Sequence, residues 1–169
     1  MKKNLVLTGM MGVGKSTIGI FLSEELNMRF VDIDKIIENK EKMLIKTIFK
    51  KKGEKYFRKI EKEISLKTLE DDNSVIALGG GAFIDGELRS KVFENSVSFW
   101  LDLNINNLIK RVQKSKGRPL LNSKNVQKTL NELYEKRKNI YKLANFKINC
   151  NDKNKAQTVE EIKKLYEKH

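Results

Sequence analysis

The sequence predicts an α/β fold of three layers, α/β/α, in which helices cover both faces of a central five-stranded parallel sheet. Two observations predict this class. Short apolar segments alternate with longer segments of helical period along the whole chain. Glycines directly follow two of the short segments, at the strand ends where such sheets bind ligands. The 169 residues are the length of one domain with a substantial core.

Five segments are short, apolar and bounded by polar residues or glycine, which is the pattern of buried strands. In order along the chain they are residues 4–7, 30–32, 74–78, 97–101 and 146–149. The first and third of them lead into glycines, so we expect tight backbone turns after both.

The segments between and after the strands carry apolar residues at helical spacing. The predicted helices are residues 17–26, 35–52 (as one or two short helices), 54–69, 85–93, 104–114, 125–143 and 158–167. In the last helix, Thr158 and Glu161 have the spacing of a capping box. The polar segment 115–124 contains the only proline and is predicted to be a mobile loop.

The composition excludes several classes of function. The chain has one cysteine, Cys150, and one histidine, His169, so we expect neither a His/Cys metal site nor a histidine-activated nucleophile. No segment reaches the roughly 18 uncharged apolar residues of a membrane helix. A single cysteine suits a reducing compartment, so we expect a cytoplasmic protein with no membrane partner.

The formal net charge is +13, but the positive charge is dispersed. Of the 35 basic residues, 29 are lysines and six are arginines. No nucleic-acid motif accompanies them, so we interpret the lysines as a solvated surface that attracts anionic substrates, and expect no nucleic-acid partner. Because most basic residues of this chain are lysines, the few arginines are candidates for roles that need a planar guanidinium. The candidates are Arg58, Arg111, Arg118 and Arg137.

Residues 9–16 read Gly-Met-Met-Gly-Val-Gly-Lys-Ser and match the phosphate-binding pattern G-x-x-x-x-G-K-[ST] in full. The motif follows a predicted strand and opens a predicted helix, so its N–H groups and the helix N-terminus would face phosphate oxygens. Lys15 would reach the outer phosphates, and the Ser16 hydroxyl would ligate Mg²⁺. The sequence therefore predicts a nucleoside triphosphate site.

Two carboxylates, Asp32 and Asp34, stand at the end of the second predicted strand. On an extended segment, alternate residues lie on the same side. One carboxylate could then serve the metal through water while the other meets a hydroxyl of the phosphate acceptor. A structural role is also open, in which Asp34 is the N-cap of a helix that starts at Lys35.

Two further features point to the acceptor side. The triplet Gly79, Gly80 and Gly81 follows the third strand and would let a ligand approach the backbone closely, with an ordinary flexible turn as the alternative. Arg58 precedes Glu61 by three residues on a predicted helix. If the pair is only an exposed ion pair, it contributes little.

Two arginines have more specific settings. Arg137 falls within the apolar stripe of the helix 125–143, where a charge needs a partner, either a bound anion or an internal carboxylate. Arg118 lies in the polar loop 115–124, where a cation could fold over the phosphates or remain solvated.

Taken together, these residues resemble the shikimate kinases, a family of small P-loop kinases of the nucleoside-monophosphate-kinase type. The resemblance covers nearly the whole chain and depends on the joint order and spacing of the motifs. The motifs are G-M-M-G-V-G-K-S-T from Gly9, D-I-D from Asp32, F-R-K-I-E from Phe57, G-G-G from Gly79, R-P-L-L from Arg118 and R-K-N-I-Y from Arg137.

The resemblance implies transfer of the γ-phosphoryl group of MgATP to the 3-hydroxyl of shikimate, giving shikimate 3-phosphate and ADP in aromatic amino acid biosynthesis. The catalytic residues it implies are Lys15, Asp34 and Arg118. The ATP-binding residues are Gly12, Val13, Gly14, Lys15, Ser16, Thr17, Arg111 and Arg118. The metal-binding residues are Ser16 and, through water, Asp32. The substrate-binding residues are Asp34, Arg58, Glu61, Gly79, Gly80, Gly81 and Arg137.

The resemblance also implies a single kinase domain over residues 1–169. Its parts are a core of 1–32, 62–111 and 125–169, shikimate-binding helices in 33–61, and a mobile lid in 112–124. ATP and shikimate are the expected partners. We expect a monomer, because no heptad seam or long apolar edge is visible.

Two other functions remain open from the sequence. A related small-molecule kinase, such as a gluconate kinase, would keep the phosphate loop but would not need two arginines for a rigid cyclic acid. A non-catalytic module that binds nucleotide or nucleic acid would use the +13 charge but would leave Asp34 and Arg137 without a role.

Overall fold

The computed structural model describes residues 3–114 and 125–169. It confirms the predicted architecture, a five-stranded parallel sheet flanked by helices. The strands are β1 (Asn4–Thr8), β2 (Arg29–Asp32), β3 (Ser74–Ala77), β4 (Ser96–Asp102) and β5 (Phe146–Asn149). Their order in the sheet is β2-β3-β1-β4-β5. Because β1 neighbours β3 in parallel, the glycine-rich loops that follow these two strands lie side by side.

The three central strands are buried along their whole length, which is why each is a short, mostly apolar run in the sequence. In the middle of the sheet, Val6 of β1 stands in register between Ile76 of β3 and Ser98 of β4. The buried Asn4 side chain accepts a hydrogen bond from the Ser74 N–H at 2.9 Å, so this polar group is satisfied where β1 begins.

Seven α-helices lie within the described residues: α1 (Lys15–Leu26), α2 (Ile33–Glu41), α3 (Ile45–Thr68), α4 (Gly86–Asn95), α5 (Ile105–Gln113), α6 (Val126–Tyr141) and α7 (Lys155–Glu167). The helix α1 packs on β2, β3 and α7, whereas α4 packs on β4 and α3. In the described part of the chain, none of these helices combines the length and apolarity that a membrane crossing requires.

The start of α2 differs from the prediction. The helix begins at Ile33, and its N-cap is Asp32, whose side chain accepts a hydrogen bond from the Lys35 N–H at 3.3 Å. The alternative in which Asp34 caps a helix from Lys35 is therefore wrong, and so is the expectation that Asp32 and Asp34 share an extended segment. Asp32 ends β2 in an extended conformation, which an N-cap requires, so Asp34 falls in the first helical turn.

The helix α3 joins two segments that the sequence treats separately. Gly53 has φ of 83° and ψ of 165°, a conformation that interrupts the helix and that glycine adopts readily. The predicted segment 35–52 is accordingly divided between α2 and the first part of α3. Helix α3 therefore has a kink at Gly53, with the predicted helix 54–69 continuing beyond it.

The last helix also starts earlier than predicted. Its capping box consists of Asn154 and Gln157, whose side chains accept hydrogen bonds from each other's N–H groups at 2.9 Å. The predicted box of Thr158 and Glu161 is wrong, because Thr158 already lies within the first turn and donates to the Asn154 carbonyl at 3.0 Å. Asparagine and glutamine fill the roles that serine or threonine and glutamate usually take.

The lid predicted for residues 112–124 is described only at its start. Val112 and Gln113 are the last two residues of α5. Residues 115–124, with Arg118, lie outside the described residues.

Candidate active site

A cleft of about 570 Å³ opens where the carboxyl ends of β1, β2 and β3 meet α3 and α6. Nearly all the predicted site residues that the structure describes line it. They are Gly12, Gly14, Lys15, Ser16, Thr17, Asp32, Asp34, Arg58, Glu61, Gly79, Gly80, Gly81, Arg111 and Arg137. Val13, in the phosphate loop itself, is buried and does not line the cleft. The structure thus gathers into one cleft residues from five separate sequence motifs.

The phosphate loop has the backbone that its glycines permit. Gly9, Gly12 and Gly14 adopt φ of 135°, 83° and 108°. A Cβ on Gly9 would lie 2.6 Å from the Leu101 carbonyl oxygen of β4, so glycine is needed there for space as well. The Lys15 Nζ donates to the Gly9 carbonyl at 2.7 Å, which holds the ammonium over the loop. This arrangement suits a chain of phosphates.

Arg111 holds the phosphate loop from α5. Its Nη1 donates to the Val13 carbonyl at 3.0 Å and would lie 3.8 Å from a Cβ on Gly14. The contact places a guanidinium beside the phosphate loop. Whether Arg111 binds ATP stays a prediction.

Ser16 and Asp32 place two oxygen ligands together at the start of α1. The Ser16 Oγ donates to Asp32 Oδ2 at 2.6 Å, while Asp32 Oδ1 accepts from the Lys35 N–H. A hydroxyl and a carboxylate are the oxygen donors that Mg²⁺ prefers, and this ion usually keeps several of its waters. The donor set therefore fits Mg²⁺ at this position.

Asp34 and Glu61 are two carboxylates in a confined space. Burial, with Glu61 and Asp32 nearby, raises the pKa of Asp34 to about 6, against the lowering effect of Lys15. Burial also raises the pKa of Glu61, and Arg58 opposes that shift. Asp34 Oδ1 and Glu61 Oε1 are buried and accept no hydrogen bond from the residues that the structure describes. Both carboxylates line the cleft, and each retains one acceptor oxygen that no described residue uses.

Arg58 and Glu61 form a sheltered ion pair, which contradicts the alternative of a solvent-exposed one. Arg58 Nη1 donates to Glu61 Oε2 at 2.7 Å, and the Glu61 side chain is only 2% exposed. A Cβ on Gly81 would lie 2.6 Å from Arg58 Nη1. The Arg58 guanidinium therefore lies directly against the glycine turn after β3.

Arg137 comes from α6 and is buried at 8% exposure, as its place in the apolar stripe predicts. Its Nη1 donates to the Gly80 carbonyl at 3.2 Å. The partner that the structure shows is thus a main-chain carbonyl, where the sequence predicted an anion or an internal carboxylate. One carbonyl uses only part of the five N–H donors of a guanidinium, so an anion can still bind beside it.

The sequence reasoning missed three residues of the site. The Tyr141 hydroxyl donates to the same Gly80 carbonyl as Arg137, and its position four residues later on α6 is the signal that could have revealed it.

The rings of Phe49 and Phe57 lie 4.8 Å apart and form an apolar wall of the cleft. No sequence signal separates these two from ordinary core residues.

Comparison with known proteins agrees with this geometry. A family model described as shikimate kinase matches residues 11–167. The shikimate kinase of Sulfurihydrogenibium sp. (strain YO3AOP1) is 44% identical over 160 residues, which are 95% of this chain and 95% of the relative. The structure of shikimate kinase from Acinetobacter baumannii in complex with shikimate superposes with a TM-score of 0.95 at 30% identity, covering 99% of this chain and 94% of that one.

A more distant structure bears on the alternative small-molecule kinase. A gluconokinase from Sinorhizobium meliloti 1021 superposes with a TM-score of 0.64 at 14% identity, covering 98% of this chain and 92% of that one. Similarity at that level of identity reflects the shared fold alone.

Proposed function

The chain belongs to the shikimate kinase family, and we propose that it transfers the γ-phosphoryl group of MgATP to the 3-hydroxyl of shikimate, giving shikimate 3-phosphate and ADP. The observation that carries the proposal is the position of two arginines beside one glycine turn. Arg58 lies against Gly81 and Arg137 donates to Gly80, next to the phosphate loop. A small anionic acceptor held there would be close to the outer phosphates.

Arg58 and Arg137 are proposed to bind the shikimate carboxylate. A guanidinium can grip a carboxylate through two parallel hydrogen bonds, and two of them fix its orientation. The Glu61 carboxylate holds Arg58 in place, and the Gly80 carbonyl holds Arg137. The arginines are therefore pre-organised before the acceptor binds.

Asp34 is proposed to orient the attacking hydroxyl and to accept its proton. A carboxyl with a pKa near 6 is ionised at neutral pH yet more basic than an ordinary aspartate. Its Oδ1 is an unpaired buried acceptor, which a hydroxyl of the substrate would satisfy. Gly79 provides the space for this oxygen, and the neighbouring glycines are proposed to contact the ring.

The remaining assignments concern ATP. The N–H groups of the phosphate loop and Lys15 are proposed to bind the phosphates, which stabilises charge during transfer. Mg²⁺ would be held by Ser16 and, through water, by Asp32, and when bound it neutralises phosphate charge. Arg111 is proposed to lie beside the nucleotide. Arg118, outside the described residues, is proposed to contact ATP from a lid that excludes water.

The test is a coupled assay of ADP release with MgATP and shikimate, gluconate or no acceptor. We expect turnover that depends on shikimate. Release only with gluconate would move the proposal to a related kinase. Nucleotide binding without acceptor-dependent release would favour a binding module, and a steep salt dependence of DNA affinity would then support that function.

Two variants separate the acceptor site from the phosphate site. Arg137→Ala is expected to weaken shikimate use far more than ATP binding, whereas Lys15→Ala should impair transfer with any acceptor. An equal loss for both ligands in Arg137→Ala would contradict the carboxylate role.

The assembly and location are also proposals. We propose a monomer in the cytoplasm that uses ATP and shikimate and engages neither nucleic acid nor membrane. Light scattering at assay concentration tests the monomer, for which a mass near 19.6 kDa is expected.

A further inference from the structure

A polar cluster outside the cleft joins the end of α2 to both sides of the kink in α3. Glu41 is the last residue of α2, while Lys52 and Tyr56 stand before and after Gly53. The Lys52 Nζ donates to Glu41 Oε2 at 2.6 Å and to the Tyr56 hydroxyl at 3.1 Å. That hydroxyl donates in turn to Glu41 Oε1 at 3.2 Å. These three residues are called the Glu41 cluster below.

The Glu41 cluster is less exposed than an ordinary surface ion pair. The side chain of Glu41 is 9% exposed, and the Lys52 Nζ lies 4.5 Å from the centroid of the Tyr56 ring. The hydrogen bond from Lys52 holds the pKa of Glu41 below its usual value, so the carboxylate is ionised at neutral pH. One sheltered charge thus fixes two side chains from different turns of α3.

The kink at Gly53 needs such contacts. A Cβ on this glycine would meet no heavy atom within 4 Å, so its positive φ, and not crowding, is what requires glycine. The angle between the two parts of α3 is therefore set by contacts of the flanking side chains and not by crowding at Gly53 itself. At the cleft, the contact between the rings of Phe49 and Phe57 bridges the kink, and outside the cleft the Glu41 cluster bridges it.

The two helices that meet at the Glu41 cluster carry the acceptor site. Asp34 lies in the first turn of α2, and Arg58 follows Tyr56 by two residues on α3. We propose that Glu41 is a positioning residue that sets the angle of α3 at Gly53 and thereby holds Arg58 against the glycine turn. Glu41 lies outside the cleft and acts only through α3. The inference rests on the proposed function.

Steady-state kinetics of Glu41→Ala and Glu41→Gln, with both substrates varied, test the inference. Glu41→Ala is expected to raise the KM for shikimate about fivefold, with kcat and the KM for ATP changed by less than about twofold. Glutamine has one acceptor oxygen, which can serve both donors because the Tyr56 hydroxyl also lies 3.3 Å from Glu41 Oε2, but it lacks the charge. Glu41→Gln should therefore have an intermediate KM. The matched control is Glu63→Ala, because Glu63 pairs with Lys59 on the exposed face of α3. It should leave all three constants unchanged.

The KM for shikimate distinguishes positioning from mere support of the fold. If Glu41 only stabilised the protein, its loss would reduce the active fraction and hence the apparent kcat, with the KM for shikimate unchanged, and this result would overturn the inference. A second test combines Glu41→Ala with Lys52→Ala. The KM for shikimate of the double variant should be no higher than that of the more affected single variant. Additive effects would show that Glu41 and Lys52 act independently and would overturn the inference that the cluster acts as one unit.

The assay also separates failure of this inference from failure of the proposed function. An unchanged KM for shikimate in an active Glu41→Ala enzyme overturns the positioning role alone. A wild-type protein that releases no ADP with shikimate overturns the proposed function and the inference with it. If Glu41→Ala does not fold, Tyr56→Phe replaces it, with an expected rise in KM of about twofold and an unchanged value as the contradicting result.

Discussion

Asp34 Oδ1 and Glu61 Oε1 both face Gly79, where a Cβ would lie 3.0 Å from the Asp34 oxygen and closer still to the Glu61 oxygen. Two buried carboxylates in such proximity disfavour each other's ionisation. The Arg58 guanidinium donates to Glu61 and stabilises its negative charge directly. The pKa of Asp34 is raised to about 6, so its ionised form is disfavoured. This difference supports the proposed roles, in which Glu61 holds Arg58 and Asp34 takes part in the reaction.

The first prediction concerns pH. Because Asp34 must be ionised to accept a proton, kcat/KM for shikimate should fall as the pH drops through about 6. The fall should follow the titration of a single group. Initial rates between about pH 5 and 8.5 at saturating MgATP would measure this. A profile that stays flat through this range would contradict the role of Asp34 as the base.

The second prediction is that Asp34 lowers the stability of the protein at neutral pH. The folded-state pKa of about 6 exceeds the ordinary 3.8, so folding favours the protonated carboxyl. That contribution is complete below 3.8 and is lost as pH rises through about 6. Asp34→Asn mimics the protonated form, so its Tm at pH 7.5 should rise by roughly 2–6 °C while turnover is lost.

Calorimetry of a matched variant controls for the removal of one negative charge. Asp85→Asn changes a carboxylate that caps α4, accepting from the Leu88 N–H at 2.9 Å, and that pairs with Lys62. Its Tm should stay the same or fall. A Tm for Asp34→Asn at or below that of the wild type would show that the buried charge carries no cost.

The third prediction uses the close approach of Arg58 to the glycine turn. Gly81→Ala places a Cβ 2.6 Å from Arg58 Nη1, so the guanidinium must move away from the acceptor site. The KM for shikimate should rise about tenfold with little change in the KM for ATP. Gly86→Ala is the control, since its Cβ would make only an ordinary contact at 3.7 Å with Arg89. If Gly81→Ala and Gly86→Ala had the same KM for shikimate, the displacement of Arg58 would be contradicted.

The fourth prediction distinguishes the observed capping box from the one that the sequence suggested. Asn154→Ala should lower the free energy of unfolding by about 1 kcal/mol, because its side chain caps α7. Glu161→Ala removes a partly exposed ion pair with Lys153 and should cost less. Urea unfolding of both variants gives the comparison. A larger loss for Glu161→Ala would favour the predicted box.

The sequence was sufficient for those parts of the site that a local pattern determines. The phosphate loop needs only its glycines, Lys15 and Ser16 in the right spacing, and the strands need only short apolar runs. Helix starts were less predictable, because Asp32 and Asp34 are equally good caps and only the end of β2 decides between them.

The acceptor side depended on contacts between distant elements. Whether Arg58 and Glu61 are exposed is decided by the glycine turn after β3, which no spacing on α3 reveals. The Gly80 carbonyl likewise became the partner of Arg137 only through the packing of α6 near the end of β3. The kink at Gly53 was anticipated as a break between helices, but its bridging by Glu41 was not.

The hydrogen bonds to the Gly80 carbonyl also bear on biosynthesis. They link positions 57 and 61 residues apart, and they come from Arg137 and Tyr141 near the end of the chain. A ribosome adds about 5–20 residues each second, so the Gly80 carbonyl waits several seconds after its own synthesis before α6 exists. The nascent chain thus gains the complete glycine turn with its two donors only late in synthesis.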